Sequence, residues 1–204
     1  MSYTLAQTLL GSLRRKDLPR SLYRQHAHQL ALCMAQQAAD QLETGTTAIQ
    51  TPMGNATVPT FKDPLILVPI LRSGLVLLPA FIEYFPDAAI GCLGMKRDEK
   101  TAIPHLYYQN MPPMTGEEQM IILDPMLATG GSLLAALEII TKMPVQPKRL
   151  MFVGIIGSQQ GVDAVKKAYP QLTLLITHID PQLNDKKFIV PGLGDFGDRF
   201  FGTE

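Results

Sequence analysis

Cysteine is nearly absent from this chain. Only Cys33 and Cys92 occur, and no metal-like or redox spacing joins them, so their sequence pattern carries no metal or thiol chemistry. Cys33 sits in an apolar helical pattern and Cys92 in an apolar strand pattern, so both are expected as buried thiols. Net charge is also missing. Eighteen Lys and Arg balance eighteen Asp and Glu, so no global field draws the protein toward nucleic acid. Arg14-Arg15-Lys16 is too short a cluster to change that. No apolar run approaches the ~20 residues of a membrane helix, and Arg14-Arg15-Lys16-Asp17 interrupts the N-terminal segment before a signal core forms. No membrane partner and a cytoplasmic location are therefore expected. Internal repeats and low-complexity tracts are lacking too. The four histidines, His26, His28, His105 and His178, show no metal-site spacing. His26 and His28 fall on nearly opposite helix faces, and no metal-ligating residue is assigned.

What remains is the composition of a soluble globular protein, 46% hydrophobic and 18% charged over 204 residues. A chain of this size forms one domain and buries roughly 70% of the surface its unfolded form exposes. Residues 20–43 place Leu22, His26, Leu30, Cys33, Met34 and Ala38 at helical spacing, with Thr44-Gly45 as the stop. The first 45 residues or so thus read as a helical part. Pro52, Gly54 and Pro59 mark a hairpin or loop. Leu65–Leu71 is too uniformly apolar to alternate and reads as a buried strand. Ser73-Gly74 opens a helix to about Phe85, with Pro79 in its first turns. Ala89–Met95 is a second apolar strand, and Lys96–Glu118 is too long for an ordinary connection. Within that stretch, Leu106-Tyr107-Tyr108 suits a hairpin arm, while Met111 and Met114 suit packing in a cap. Residues 149–157, 162–169 and 172–179 continue as strand, helix, strand. Alternating strands and helices predict an α/β fold with a twisted, mainly parallel sheet flanked by helices. Ligands of such sheets bind at the carboxyl ends of the strands, where Arg72, Arg97, Asp124 and Ser158 should converge.

The most informative stretch is 120–132, MIILDPMLATGGS, followed by Leu133-Leu134-Ala135-Ala136-Leu137. An apolar strand ends in an acid, passes into a small-residue loop and opens a helix. Such a loop presents backbone N–H groups at a positive helix end, where a phosphate binds. The Thr129 and Ser132 hydroxyls add donors. Asp124 suits sugar hydroxyls or a metal ion, so the pair of features points to a phosphorylated sugar. Residues 188–200, FIVPGLGDFGDRF, are Gly-rich with interleaved Ile189, Val190, Leu193 and Phe196. That pattern excludes a regular helix or strand and favours a loop wrapped over a site. Asp195 and Asp198 suit either turn capping or function; Asp195 is the functional candidate, and Asp198 is expected as structural, paired to Arg199.

The residues 69–74 (PILRSG), 124–132 (DPMLATGGS) and 190–199 (VPGLGDFGDR) resemble the uracil phosphoribosyltransferases. Arg97-Asp98-Glu99 with Thr101, and 179–184 (IDPQLN), add to the likeness, which runs in order from about residue 20 to the C-terminus. Other phosphoribosyltransferases usually carry two adjacent acids where this chain has Asp124-Pro125. The resemblance implies a type I phosphoribosyltransferase fold, with a small hood from about 180–204 and a flexible loop or hairpin. It implies transfer of phosphoribosyl from 5-phosphoribosyl diphosphate (PRPP) to N1 of uracil, giving UMP and diphosphate in pyrimidine salvage. Mg2+ accompanies PRPP in the family, GTP activates some members, and a homodimer or larger even oligomer is expected.

By matching positions, the resemblance places PRPP on Arg72, Arg97, Asp124, Pro125, Met126, Leu127, Ala128, Thr129, Gly130, Gly131, Ser132 and Asp195. Within that set, 128–132 cradle the 5′-phosphate, Asp124 faces the ribose hydroxyls, and Arg72 and Arg97 face the diphosphate. Ile189, Gly194, Asp195 and Phe196 would line the uracil pocket, largely through backbone groups. Arg97 and Asp195 are the catalytic candidates. Several positions depart from the family. Phe196 stands where alanine is usual, which predicts either a narrower base pocket or a ring packed outward on Phe200. Ser73 replaces an alanine beside Arg72, the helix after it lacks a usual Asp-Gly pair, and Lys96 stands where tyrosine is typical.

Overall fold

The structure, a computed structural model, describes residues 4–97 and 104–203, with the backbone alone of Arg97 and Pro104. Along the chain run α1 (Thr4–Leu13), α2 (Arg20–Ala39), β1 (Thr44–Thr51), β2 (Gly54–Phe61), β3 (Leu65–Leu71), α3 (Leu78–Tyr84), β4 (Ala89–Ile90), β5 (Cys92–Arg97) and β6 (Pro104–Asn110). They are followed by β7 (Gln119–Leu123), β8 (Met126–Leu127), α4 (Gly131–Ile140), β9 (Leu150–Ser158), α5 (Gln159–Ala168), β10 (Thr173–Asp180), β11 (Gln182–Leu183), β12 (Ile189–Val190) and α6 (Phe196–Phe201). The central sheet has the spatial order β10-β9-β7-β3-β5-β6. Its pairs are parallel except β5 with β6, which is antiparallel.

The uniformly apolar strands are buried because both sheet faces are covered. In β3, Leu67 joins one core cluster while Ile66, Val68 and Ile70 join the other. β7 divides in the same way, with Ile121 and Leu123 on one side and Met120 and Ile122 on the other. The first cluster lies under α1, α2 and α3 and includes Ile189, Leu193 and Phe196 from the C-terminal segment. The second lies under α4 and α5. A strand buried on both faces needs apolar residues at every position, which is why no alternation was visible.

Four expectations are corrected here. α2 ends at Ala39, and Thr44-Gly45 open β1 rather than stop the helix. Its buried face is Tyr23, Ala27, Leu30, Ala31, Met34, Ala35 and Ala38, while Leu22 is exposed; alanine makes up most of that face, so the spacing of large apolar residues does not mark it. Cys33 and Cys92 are half-buried rather than buried, and partial burial raises both thiols above their ordinary value. Met111 and Met114 pack against the cluster under α4 and α5, not in a cap. The Pro52–Pro59 region is a true hairpin, β1 pairing β2 from Thr44↔Phe61 to Thr51↔Gly54.

Candidate active site

The site is built where β3 and β7 end side by side. Their pairing runs from Leu65↔Gln119 to Pro69↔Leu123, so the residues just beyond, Arg72 and Asp124, leave the sheet together. Gly74 completes this junction, because a β-carbon there would lie 2.2 Å from the Leu123 carbonyl oxygen. The Leu71–Arg72 peptide is cis. Ser73 then donates its hydroxyl to Asp124 Oδ1 at 3.1 Å, and the Met126 N–H reaches the same oxygen at 3.4 Å. Asp124 is itself 9% exposed, a carboxylate fixed by its neighbours at a cavity wall.

The small-residue loop follows. Gly130 adopts φ +82° and stands as the N-cap of α4, a left-handed turn that a glycine accepts without steric cost. Thr129 Oγ1 accepts the Gly131 N–H at 3.3 Å. The loop is backed from behind by Ser158, whose hydroxyl donates to the Ala128 carbonyl at 2.6 Å and accepts the Gly161 N–H at 2.9 Å. Ser158 is fully buried; it therefore supports the loop and caps α5 instead of converging on a ligand as expected.

The C-terminal segment closes the other side, and it contains a helix that its glycine content argued against. Asp195 Oδ1 accepts the Asp198 N–H at 2.9 Å and caps α6. Arg199 does not pair with Asp198: it donates to the carbonyls of Leu13, Leu193 and Arg15, and its guanidinium lies 4.4 Å from the Tyr23 ring centroid. Asp198 accepts from the Thr203 hydroxyl. Phe196 is fully buried, its ring 5.4 Å from that of Tyr23 and 6.1 Å from that of Phe200. The ring points into the core, so the departure at this position leaves the cavity unfilled. Its backbone N–H faces Met126 Sδ at 3.4 Å, which brings the C-terminal segment against the loop after β7.

A cavity of about 440 Å³ opens between these parts. Among the expected residues Arg72, Asp124, Met126, Ala128, Ser132 and Asp195 line it. Pro125, Leu127, Thr129, Gly130, Gly131, Ile189, Gly194 and Phe196 lie outside the lining. Ile189 is buried in the core, whereas Gly194 is exposed. The Arg97 side chain lies outside what is described, as do residues 98–103. Sequence reasoning missed Lys186, Lys187, Phe188, Gly197 and Phe201 in the lining. Phe201 has a detectable role: the Arg72 guanidinium sits 5.6 Å from its ring centroid, a stacking that orients the cation.

The C-terminal segment that carries Asp195 is tied down by Asp180, which ends β10. Asp180 takes two hydrogen bonds of 2.8 Å from Arg14 and one of 2.9 Å from the Gly192 N–H. Burial alone would raise its pKa. The Arg14 and Gly192 hydrogen bonds and the charges of Arg14 and His178 outweigh that and hold it below the usual carboxylate range.

A model of the uracil phosphoribosyltransferase family matches residues 1–203. The uracil phosphoribosyltransferase of Agathobacter rectalis is 40% identical over 205 residues, covering 100% of this chain and 97% of that protein. That of Malacoplasma penetrans is 37% identical, covering 99% of this chain and 97% of the other. In structure, a protein of Aquifex aeolicus superposes with a TM-score of 0.90 at 31% identity, over 100% of this chain and 97% of that one. A hypoxanthine-guanine phosphoribosyltransferase of Bacillus anthracis gives 0.50 at 10% identity, over 78% and 81%, which is a likeness of fold alone.

Proposed function

This chain belongs to the uracil phosphoribosyltransferase family, with the type I phosphoribosyltransferase fold, and we propose from that premise how its residues transfer phosphoribosyl from PRPP to uracil. It is a glycosyltransferase of pyrimidine salvage, making UMP and diphosphate. The observation that carries the residue assignment is the convergence of Arg72, Asp124, Ala128, Ser132 and Asp195 on one cavity from three separate segments of chain.

In this reading the 128–132 loop holds the 5′-phosphate on backbone N–H groups at the start of α4. Asp124, steadied by Ser73, accepts the ribose hydroxyls. The bond from ribose C1 to the diphosphate oxygen breaks, and its electron pair leaves with the diphosphate. Arg72 and Arg97 hold that leaving group and offset the negative charge it gathers. The positive charge left on the ribose faces Asp195. Uracil N1 supplies the new bond to C1 and gives up its proton to bulk solvent. Backbone N–H and C=O groups around Gly194 and Asp195 face the base edge in this reading, so cytosine leaves polar groups unpaired and is rejected. Among the described residues no three acidic, His or Cys side chains form a metal cage. Asp124 is the acid on the cavity wall that would stand beside a Mg2+ bound with PRPP, and the ion would supply charge neutralisation.

The proposal extends to one domain over 1–204 with a hood from about 180, a cytoplasmic location, and a homodimer or larger even oligomer. No helix among the described residues is long and apolar enough to cross a membrane. Met53, 96% exposed at the β1–β2 turn, is the kind of apolar side chain a second copy covers. The test is release of diphosphate from PRPP and Mg2+ with uracil, cytosine and hypoxanthine, with and without GTP, beside sedimentation of the protein. Turnover with another base and none with uracil overturns the specificity. Tight PRPP binding without any turnover marks a regulator that kept the fold.

A further inference from the structure

Three lysines rim the cavity in places that the roles assigned above do not use. Lys96 lies in β5, one residue before Arg97; Lys186 and Lys187 lie in the turn between β11 and β12. Lys187 has φ +66°, the one positive value at a non-glycine among the described residues. That conformation costs a residue with a β-carbon roughly 1–2 kcal/mol, and such residues gather at functional sites. The turn enforces it. The Lys187 N–H donates to the Asn184 carbonyl at 2.8 Å, the Phe188 N–H to Asn184 Oδ1 at 2.9 Å, and the Asn184 N–H to the Phe188 carbonyl at 2.9 Å. Pairing of Gln182 with Val190 and of Leu183 with Ile189 anchors this turn to the buried Ile189.

The charge distribution agrees with a role. Over the whole chain the charges cancel, yet the cavity wall carries Arg72, Lys96, Lys186 and Lys187 against Asp124, Asp195 and Asp198. In the mechanism above the acids Asp124 and Asp195 face the ribose, and Arg72 faces the diphosphate. The lysines add positive charge at the opening, on two different elements. Exposed lysines there act at a distance, and such fields raise the capture rate of a multiply charged anion more than they change the chemistry.

We propose that Lys96, Lys186 and Lys187 form a cationic rim that captures the phosphates of PRPP before Arg72 and the 128–132 loop engage them. The inference rests on the phosphoribosyltransferase reading of the same site. It predicts a rim of positioning charges, not of catalytic residues.

The test compares the full-length wild type with Lys187→Asn, Lys187→Arg, Lys96→Gln and the Lys96→Gln/Lys187→Asn double variant. Asparagine tolerates the left-handed conformation while removing the charge. Lys142→Gln, outside the cavity, controls for net charge. UMP formation is measured against PRPP with Mg2+ at several KCl concentrations, and PRPP binding by calorimetry. The double variant should lose about tenfold in kcat/KM for PRPP at low salt, keep kcat within about twofold, and show a shallower salt dependence. Lys187→Arg and Lys142→Gln should match the wild type, and KM for uracil should not move. An unchanged KM and salt slope in the double variant overturns the rim, as does an equal loss in Lys187→Arg or Lys142→Gln. A wild type that neither binds PRPP nor forms UMP fails the functional reading itself, a result distinct from an active wild type with indifferent rim variants.

Discussion

Arg14, just past α1, holds Asp180 at the end of β10 by two parallel 2.8 Å hydrogen bonds, and its Nη1 also donates to the Gly192 carbonyl at 2.8 Å. One guanidinium thus joins the helical N-terminus, the sheet and the C-terminal segment that carries Asp195. Asp180 is 2% exposed, and the Arg14 side chain 22%. Removing either partner strands a buried polar group. Arg14→Ala should cost about 3 kcal/mol of stability, read as a lowered denaturation midpoint. Because the tie positions the hood, KM for uracil should rise more than KM for PRPP. An equal rise in both would show that the clamp serves the whole fold alone.

Phe196 answers the question posed by its departure from the family. Its ring is enclosed by Tyr23 and Phe200, so Phe196→Ala opens a core cavity at a cost of about 3–5 kcal/mol. The preference for uracil over cytosine should persist in whatever protein stays folded at low temperature. A changed base preference would place the ring in the pocket.

Ser73 and Asp124 test the ribose side. Ser73→Ala removes a hydrogen bond to a charged group, worth about 1.5 kcal/mol, and should raise KM for PRPP about tenfold while leaving KM for uracil alone. Asp124→Asn should weaken PRPP use further. Wild-type kinetics in Asp124→Asn would mean that the ribose hydroxyls bind elsewhere.

Acid should weaken the fold through Glu118. Burial alone would raise its pKa, but N–H bonds from Thr115 and Gly116 and the Thr115 hydroxyl bond hold it down at about 2. A depressed carboxylate contributes stability that is complete above its unfolded value of 4.5 and is lost as pH falls toward about 2. The thermal midpoint should fall across that window, with Asp180 adding in the same direction. Glu118→Gln should flatten the fall; an unchanged slope would remove Glu118 from the account.

Some of this was legible in local chemistry. Leu65–Leu71 is β3 to the residue because seven consecutive apolar side chains suit only a strand covered on both faces. The loop from Asp124 to Ser132 and the helix it opens were readable because they are contiguous in the chain. α6 was not, since its glycine-rich surroundings hide a cap that depends on Asp195 turning back on Asp198. Ser158 looked like a ligand residue and proved to be a prop for Ala128, a contact spanning thirty residues.

The sequence by itself determined the α/β class, the strand-acid-loop-helix order around Asp124 and the family, because each is written in short-range pattern: apolar runs, small-residue loops and contiguous motifs. Tertiary structure alone decided which way Phe196 faces, that Arg14 clamps Asp180 and the C-terminal segment together, and that Lys96 and Lys187 line one cavity. Those depend on residues far apart in the chain meeting in space. Packing sets that geometry, and no local propensity encodes it.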